Sequence, residues 1–255
     1  MALTKVIGAG LGGTNDLTVD TDTLIVDSTN DKVGINVASP NNYYSKELVV
    51  GIPDNGGITI LNSDTTHAGC IMFADGTGTS AYRGQIVYDH NDDSIGMWTA
   101  ATNAMKIDST GAMTKPLQPA FQARPATNQS DIAINGNREV VFGTEVFDNN
   151  SDFSSNTFTA PVTGKYLITY SLYLQNLDSA ANYYEAFINT SNRTYYGSSI
   201  DPDFADADFN YFSLSSSCVV DMDANDTATI NINQSQGTAQ TDIASPSFFS
   251  GALIC

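Results

Sequence analysis

The sequence predicts an all-β protein in which a stalk of short strands precedes a larger β-sandwich head. Charged residues make up only 15% of the chain, and Asn, Ser, Thr and Gly are abundant in their place, a composition typical of strands joined by turns. From Tyr166 to Leu174, large apolar side chains recur at every second position, which is the period of a strand with one buried face. We expect this run to be the central strand of the sandwich, with the chain after residue 119 built around it.

The charge of the chain excludes several classes of partner. Its formal net charge is −18, from 28 acidic and 10 basic residues. No run of Lys or Arg is present to neutralise phosphates, so we expect no nucleic-acid partner. The same charge disfavours anionic membranes, and no stretch approaches the length of a membrane span, so we expect no membrane insertion. The charge favours solubility, with cation binding by some carboxylates as the sharper alternative.

The first 16 residues are rich in glycine and show no hydrophobic period. Gly8–Gly13 satisfies the G-x-G-x-x-G spacing of dinucleotide-binding loops. The residues that follow, however, favour a turn and a strand instead of the helix on which a pyrophosphate would sit. We therefore reject a nucleotide site and expect residues 1–16 to form a docking arm.

The three cysteines, Cys70, Cys218 and Cys255, are odd in number and far apart. A disulfide-stapled secreted domain has a denser, even-numbered set. The amino terminus also lacks the apolar core of a signal peptide. We expect free thiols in a chain that folds in a reducing cytosol.

Residues 17–116 contain short apolar runs that repeat. Leu24–Thr29 leads into Lys32–Ile35, and a near copy of the first run occurs at Met105–Thr110. In both copies Asp-Ser-Thr follows the apolar residues, and such side chains can close a turn on nearby backbone amides.

A second repeat lies between these copies. Gly69–Asp75 and Gly84–His90 both read Gly-x-Ile-x-aromatic, and the segment between them is rich in Gly, Thr and Ser, as expected for a hairpin. Units this short cannot bury a core alone and need stacking on neighbours or on other chains. Residues 17–116 therefore predict a β-rich stalk that is stabilised by association.

A cluster of prolines at Pro116, Pro119 and Pro125 marks the start of the head, residues 117–255. Longer and more hydrophobic runs follow, and turn signals separate them. About eight strands over roughly 135 residues are typical of a sandwich or jelly roll. Besides the central run, the expected strands are Val140–Phe147, Tyr183–Ile188, Phe209–Met222 as two strands, Ala228–Ile232 and Ser247–Ile254.

Three segments of the head carry a resemblance to a known family. They are Ala120-Phe121, Phe158–Tyr166 with the sequence Phe-Thr-Ala-Pro-Val-Thr-Gly-Lys-Tyr, and Phe248–Ile254. With this spacing, the head resembles the jelly roll shared by complement-type globular domains and the tumour-necrosis-factor superfamily. The resemblance implies a jelly-roll head and a homotrimer. The disulfides and collagen-like stalk of secreted members are missing, which argues against a secreted signalling ligand.

The stalk is similar to the repeats of bacteriophage fibre and spike proteins. The similarity is carried by Leu24–Thr29, Val33–Ile35, Ala38–Pro40, Tyr88–His90 and Met105–Gly111. These proteins are homotrimers, so the resemblance implies a trimeric stalk.

Together the two resemblances imply a virion structural protein, a short homotrimeric bacteriophage fibre on the tail or capsid, assembled in the cytoplasm of the host bacterium. The arm would bind other virion proteins, and the head would contribute to recognising a protein or glycan of the host surface. No chemistry is required, so we expect no enzyme. Two alternatives stay open: a polysaccharide-depolymerising tailspike-like enzyme, and a capsid decoration protein that does not adsorb to the host.

Aromatic and amide side chains form the candidate recognition surface of the head. Tyr183, Tyr184, Tyr195 and Tyr196 lie near Arg193 and several asparagines in the sequence. Such groups offer flat apolar area with a polar handle to a sugar or a protein. The alternative is that one Tyr of each pair faces the core and the other faces outward.

The densest acidic segment, residues 201–208, is called the acidic loop below. It carries Asp201, Asp203, Asp206 and Asp208. It is not an EF-hand, because the sixth position is not Gly and the twelfth, Phe212, is not Glu. An irregular Ca²⁺ site is one interpretation, since several carboxylates suit a hard cation, and a solvated loop is the other. No other cofactor is expected.

Other side chains offer little for catalysis. His67 and His90 lie in polar turns, and Cys70 is the one close partner of His67, too few ligands for zinc. A glycosidase needs two carboxylates across one site. Asp92 and Asp93 are adjacent, and adjacent side chains on a strand point to opposite faces. We expect both histidines to be structural.

Overall fold

The computed structural model describes residues 17–19, 23–27, 29–44, 47–52 and 54–255. The predicted docking arm, residues 1–16, and its glycine-rich motif lie outside the described residues. The described secondary structure consists of β-strands and three short 3-10 helices, which confirms the all-β prediction. Among these residues, no helix has the length and apolar character needed to cross a bilayer. The chain divides into two compact units, one ending at Leu61 and the other spanning Asn62–Cys255. The predicted boundaries at residues 16 and 116 stay predictions.

The first unit holds one small sheet. Its strands are β1 Leu17–Val19, β2 Leu24–Asp27, β3 Lys32–Ile35 and β4 Leu48–Val50, with a 3-10 helix at Pro40–Asn42. The first three strands are antiparallel, and β3 pairs in parallel with β4. The turn between β2 and β3 is closed as predicted, because the backbone N–H groups of Thr29 and Asn30 donate to Asp27 Oδ1 at 3.1 and 3.0 Å.

The second unit begins with a five-stranded meander. Its strands are β5 Ala68–Phe73, β6 Gly84–Asp89, β7 Ser94–Thr99, β8 Thr102–Ile107 and β9 Met113–Thr114, with a 3-10 helix at Gly78–Tyr82. Each strand is antiparallel to the next, which confirms the hairpin expected from the second repeat. Between β8 and β9, the N–H groups of Thr110 and Ala112 donate to Asp108 Oδ1 at 2.8 and 3.0 Å. Both copies of the Asp-Ser-Thr repeat therefore close turns in the same way.

The head is a sandwich of two sheets. One sheet has the order β12-β10-β21-β15-β18, with β20 also pairing with β15, and the other has the order β13-β14-β19-β16-β17, with β11 also pairing with β19. The strands are β10 Ala120–Arg124, β11 Arg138–Glu139, β12 Thr144–Asp148, β13 Phe153–Ser154, β14 Thr157–Thr159, β15 Gly164–Gln175, β16 Tyr183–Thr190, β17 Thr194–Ile200, β18 Phe212–Met222, β19 Thr227–Ser235, β20 Asp242–Ile243 and β21 Phe248–Leu253. A 3-10 helix at Pro202–Phe204 precedes β18.

Strand β15 has the interior position that its alternation predicted. It pairs along its length with β18 on one side and with β21 and β20 on the other. Tyr166, Ile168, Tyr170, Leu172 and Leu174 are all buried. The predicted strands around residues 183–188, 228–232 and 247–254 are also confirmed.

Two strand predictions were wrong. Val140–Phe147 is not one strand, because β11 before it and β12 at its end belong to different sheets and the chain crosses between them here. Val140 and Phe142 are buried in the crossing, which explains their apolar character. Phe212–Met222 forms a single strand, β18, since its pairing with β15 continues without interruption, and Phe209 makes an isolated bridge to Leu177.

The segments that carried the family resemblance supply the aromatic centre of the core. The Phe121 ring lies 4.7 Å from Phe158 and 4.9 Å from Phe249, centroid to centroid, and Phe158 lies 5.4 Å from Tyr166. Stacked and edge-on rings at these distances add to the energy of simple burial. The three segments, far apart in sequence, are therefore held together by direct packing.

Candidate ligand-binding surfaces

The predicted recognition residues separate into one buried side chain and several surface positions. Tyr184 is fully buried. Its hydroxyl accepts from the Asp178 N–H at 2.7 Å and donates to the Asp178 carbonyl at 3.3 Å. Burial raises its pKa to about 12. The prediction that Tyr184 belongs to the recognition surface was wrong. Successive side chains of a strand face opposite sides, and in β16 Tyr183 faces outward while Tyr184 faces the core.

Arg193 and Tyr195 meet on one carboxylate. Arg193 Nη2 lies 3.2 Å from Asp221 Oδ2, and the Tyr195 hydroxyl donates to Asp221 Oδ1 at 3.0 Å. The Arg193 guanidinium carbon is also 6.0 Å from the centre of the Tyr195 ring. The hydrogen bond from Tyr195, with the nearby Arg193, lowers the pKa of Asp221. The turn before β17 is thereby tied to the end of β18, and its side chains are held in place.

A second carboxylate organises the tip of the same turn. Ser191 Oγ donates to Asp226 Oδ1 at 2.7 Å and Asn192 Nδ2 donates to Asp226 Oδ2 at 2.6 Å. The Asp223 N–H donates to Asp226 Oδ2 at 2.7 Å. The bond from Ser191, followed by the other donors, lowers the pKa of Asp226. These hydrogen bonds hold the turn at Ser191 and Asn192 against the turn at Asp223 and Asp226.

Between these groups lies a cleft of about 380 Å³, called the Asn192 cleft below. Its lining includes Asn192, Asp221, Asp223, Lys165 and Cys255. Arg193 and Tyr195 do not line the cleft but contact Asp221, which does. An amide, carboxylates and an ammonium around a small cleft suit a ligand with several hydroxyl or amide groups.

Tyr183 belongs to a different depression, called the Tyr183 groove below. This groove of about 420 Å³ is lined by Tyr183, Asn182, Glu185, Ser199 and Asp201, with Ile200 beside them. It joins a residue predicted for recognition to one predicted for calcium. Tyr196 is exposed elsewhere on β17, with its ring 5.4 Å from that of Phe187.

The acidic loop does not gather its carboxylates. Asp201 accepts from the Asp203 N–H at 3.0 Å at the start of the 3-10 helix, and Asp208 accepts from the Ser179 N–H and hydroxyl at 2.8 and 2.9 Å. In the part of the chain that the structure describes, no three His, Cys, Asp or Glu side chains are grouped so as to hold a metal ion. Calcium binding by Asp201, Asp203, Asp206 and Asp208 stays a prediction.

The side chains weighed for catalysis are held in local contacts. His67 Nδ1 lies 2.6 Å from Asp64 Oδ1, and the His90 ring packs edge-on against Tyr88 at 4.8 Å. Asp92 accepts from Lys106 Nζ at 2.7 Å and from Ser94 Oγ at 2.6 Å. The bond from Lys106, with that from Ser94, lowers the pKa of Asp92. These contacts occupy the groups in turns and strands of the meander.

Sequence reasoning missed one buried carboxylate. Asp178 is 2% exposed and accepts from three backbone N–H groups, those of Ala180 and Ala239 at 2.8 and 2.7 Å and that of Thr238. Burial alone would raise its pKa, but these donors outweigh burial and lower it. The signal was present, because Asp178-Ser179 after β15 repeats the Asp-Ser pair that closes the stalk turns.

On β21, β15 and β18 the outer face of the β12-β10-β21-β15-β18 sheet is without charge over four rows, which we call the neutral face. The exposed Arg124 of β10, on the same side as Gln122, lies at the edge of the third row. In register, the rows are Leu167, Val219, Ala252 and Ala120; Thr169, Ser217, Ser250, Gln122 and Phe147; Ser171, Ser215 and Phe248; and Tyr173 and Ser213. Leu167 is 41% and Val219 is 54% exposed. Charge appears again at one end of the rows, where Lys165 pairs with Asp221.

The centre of the neutral face is concave. A depression of about 370 Å³ lies there, lined by Thr169, Ser171, Ser215, Ser217 and Phe248 among others. At one end the Tyr173 ring stacks on that of Tyr211 at 5.6 Å. The face thus combines small polar side chains with exposed apolar and aromatic ones.

Residues 120–254 match the family model described as C1q domain. Among solved structures, the globular domain of zebrafish complement 1qA protein is 21% identical, covers 54% of this chain and 98% of its own, and has a TM-score of 0.37. Murine APRIL at pH 8.0 is 14% identical, with 54% and 99% coverage and a TM-score of 0.40. No curated protein matches the chain.

Proposed function

Because the chain belongs to the C1q domain family through residues 120–254, we propose that it is a homotrimeric, non-enzymatic binding protein. In this proposal it is a short bacteriophage fibre, located in the virion, whose head contributes to recognition of the host surface. Domains of this family and of the related tumour-necrosis-factor type typically form homotrimers that bind ligands or receptors. The proposed trimer and the proposed binding role rest on this family property.

The observation that carries the trimer is the neutral face. The chain has a net charge of −18, so two copies repel each other over most of their surfaces. Across β21, β15 and β18 four rows of the sheet lack charge, with Arg124 of β10 at the edge of the third row, while Leu167 and Val219 stay exposed. Depletion of charge with retention of apolar and aromatic side chains is the compositional mark of a protein interface. A copy of this same chain is therefore the partner that fits the neutral face.

The virion role is supported by the stalk. The same turn occurs near both ends of the segment that resembles phage fibres: at Asp27 and at Asp108, the Asp carboxylate accepts from the backbone N–H of the Thr two residues later. The meander β5–β9 and the sheet β1–β4 are small, and such sheets gain stability by association with other chains. The proposed arm, residues 1–16, would then bind other virion proteins.

Recognition is proposed for the Asn192 cleft and the Tyr183 groove. Arg193, Tyr195 and Asn192 are held in place by Asp221 and Asp226, so little side-chain entropy is lost on binding. The ligand class is a host-surface glycan or a protein loop rich in hydroxyl and amide groups. Three heads that bind together raise a weak single-site affinity through effective concentration.

The first experiment measures the solution mass by light scattering. We expect a mass three times the 27.1 kDa of the chain. Ser217→Arg places an unpaired cation at the centre of the neutral face and should dissociate the trimer. The matched control is Thr229→Arg, on the outer side of β19 in the other sheet, and it should leave the mass unchanged. A native protein that is monomeric at micromolar concentration contradicts the proposal.

The second experiment tests recognition. The purified trimer should compete with phage particles for adsorption to the host bacterium, and Arg193→Ala with Asn192→Ala should weaken this competition while the trimer persists. A trimer that never competes indicates a capsid decoration protein instead. Loss of viscosity in a host polysaccharide solution would indicate the depolymerase alternative.

A further inference from the structure

One face of the meander β5–β9 carries large apolar side chains without a single charge. The strand register places its members together as rows: Ile71, Ile86, Met97 and Met105; Gly69, Tyr88, Ile95, Ile107 and Met113; and Phe73 beside Gly84. We call this surface the meander face. The stalk was expected to be stabilised by association, and the meander face offers an apolar surface for it.

The meander face is uncovered in the single chain. Ile71 is 50%, Phe73 is 58% and Met97 is 43% exposed. Large contiguous apolar patches are rare on monomers and mark sites of interaction.

The opposite side of the same sheet has a different character. It carries the charged Asp89 and Lys106 beside Ser94, together with the apolar Met72, Val87 and Trp98, and Lys106 is bonded to Asp92 at 2.7 Å. Antiparallel sheets are commonly packed on one face and wetted on the other. The register therefore identifies the meander face as the side that an apolar partner can cover without burying a charge.

We propose that the meander face is covered by the meander faces of two further copies of this chain, so that three sheets enclose one apolar core in the stalk. The inference rests on the proposed homotrimer and adds the surface by which residues 68–114 join it. Self-association is favoured by charge, since chains of net charge −18 can approach closely where neither carries charge.

Chain connectivity gives the second argument. β9 ends at Thr114 and β10 begins at Ala120, so five residues separate the meander from the head. Such a segment spans at most about 18 Å. When three heads are joined, their meanders are confined near one another at an effective concentration of about millimolar. Each meander face then meets its own copies before any other partner.

The area is modest. Strands about 4.8 Å apart and about 3.3 Å per residue give a meander face on the order of 400 Å² per copy. Three copies together bury about 1,200 Å², which is about 400 Å² for each pair of copies and less than the ~1,000 Å² expected of a specific interface that stands alone. The meander core therefore needs the head trimer to hold the three copies together.

The test is cross-linking of the full chain with single cysteines, read together with the solution mass. In a protein with all three native cysteines replaced by Ser, Met97→Cys places one thiol on the meander face. The matched control keeps native Cys70, which lies on the opposite side of the same sheet, with Cys218 and Cys255 replaced by Ser. At low protein concentration, a short bis-maleimide should link Met97→Cys chains at least roughly tenfold more than Cys70 chains.

The outcomes separate the two proposals. A trimeric mass with no excess of cross-links at Met97→Cys overturns the meander core and leaves the head trimer standing. A monomeric mass overturns both. Met97→Asp provides a second measurement: the head keeps the mass trimeric, but a transition at lower temperature should appear, whereas Thr114→Asp on the opposite side should not produce it. Identical melting of the two variants contradicts the inference.

Discussion

Replacing Asp178 by Asn tests how the two sheets of the head are joined. Asp178 follows β15 of one sheet, and its carboxylate holds the loop that follows β19 of the other through Thr238 and Ala239. Gly237 has φ +88°, and a Cβ there would lie 2.6 Å from Asp178 Oδ2. The loop therefore wraps closely around this carboxylate and has no room for another arrangement.

The magnitude follows from the donors. Asp178 accepts at both oxygens, whereas Asn has one acceptor oxygen and an NH2 group that would oppose either the Ala180 N–H or those of Thr238 and Ala239. Losing a buried hydrogen bond to a charged group and leaving its donor unpaired costs about 2–4 kcal/mol. For a chain of this size, that corresponds to a melting temperature lower by roughly 5–15 °C.

The effect should depend on pH in a defined direction. The folded-state pKa of Asp178 lies below its ordinary value of 3.8. A depressed pKa contributes stability that is present above pH 3.8 and is lost as the pH falls through the folded-state pKa. The difference between the native protein and Asp178→Asn should be full at pH 7 and should shrink below pH 4.

The assay is thermal unfolding followed by circular dichroism at several pH values. Asp206→Asn is the matched control, an exposed carboxylate of the acidic loop, and should shift the melting temperature by less than about 2 °C. Equal melting of Asp178→Asn and Asp206→Asn at pH 7 would refute the reasoning. So would a difference that stays constant down to the lowest pH at which the protein folds.

Three further predictions concern the head. Tyr184→Phe should cost about 1–2 kcal/mol in urea unfolding because a buried N–H loses its acceptor, whereas Tyr183→Phe should cost little. Because the folded pKa of Tyr184 is about 12, the native protein should lose stability as the pH rises from 10 to 12. Tyr184→Phe should lose less over this range, although Tyr166 and Tyr170, whose pKa values are also raised by burial, keep part of the loss. Phe249→Ala removes the ring that packs on Phe121 and should cost about 3–5 kcal/mol; a loss under 1 kcal/mol would contradict the aromatic core. If the acidic loop binds Ca²⁺, EDTA should lower the melting temperature of the native protein but not of an Asp203→Asn, Asp206→Asn variant, and unchanged native melting removes that site.

Much of the head was predictable because its signals are local. Alternation from Tyr166 to Leu174 identified both the strand and its buried face, since side chains of a strand point to alternate sides whatever the partner. Segments at residues 120–121, 158–166 and 248–254 indicated the family, which the C1q match confirms. The phage assignment and the identity of the ligand stay proposals.

The errors arose where a decision depended on distant residues. Val140–Phe147 is apolar like a strand, but the chain changes sheets there, and an apolar run is equally expected of a buried crossing. Phe209–Met222 was divided although pairing with β15 holds it as one strand from Phe212. Tyr184 could be placed inside only after the register of β16 was known.

By itself, then, the sequence determined the all-β class, the buried face of β15 and the turn-closing aspartates. The tertiary structure alone decided which side chains share a surface. The neutral face combines strands β10, β15, β18 and β21, and the meander face combines five strands, through pairings between residues far apart in the chain. The two-residue period of a strand shows which side chains share a side of that strand. It does not show which strands pair with it, and the surface of a sheet is defined only by the pairing and register of several strands.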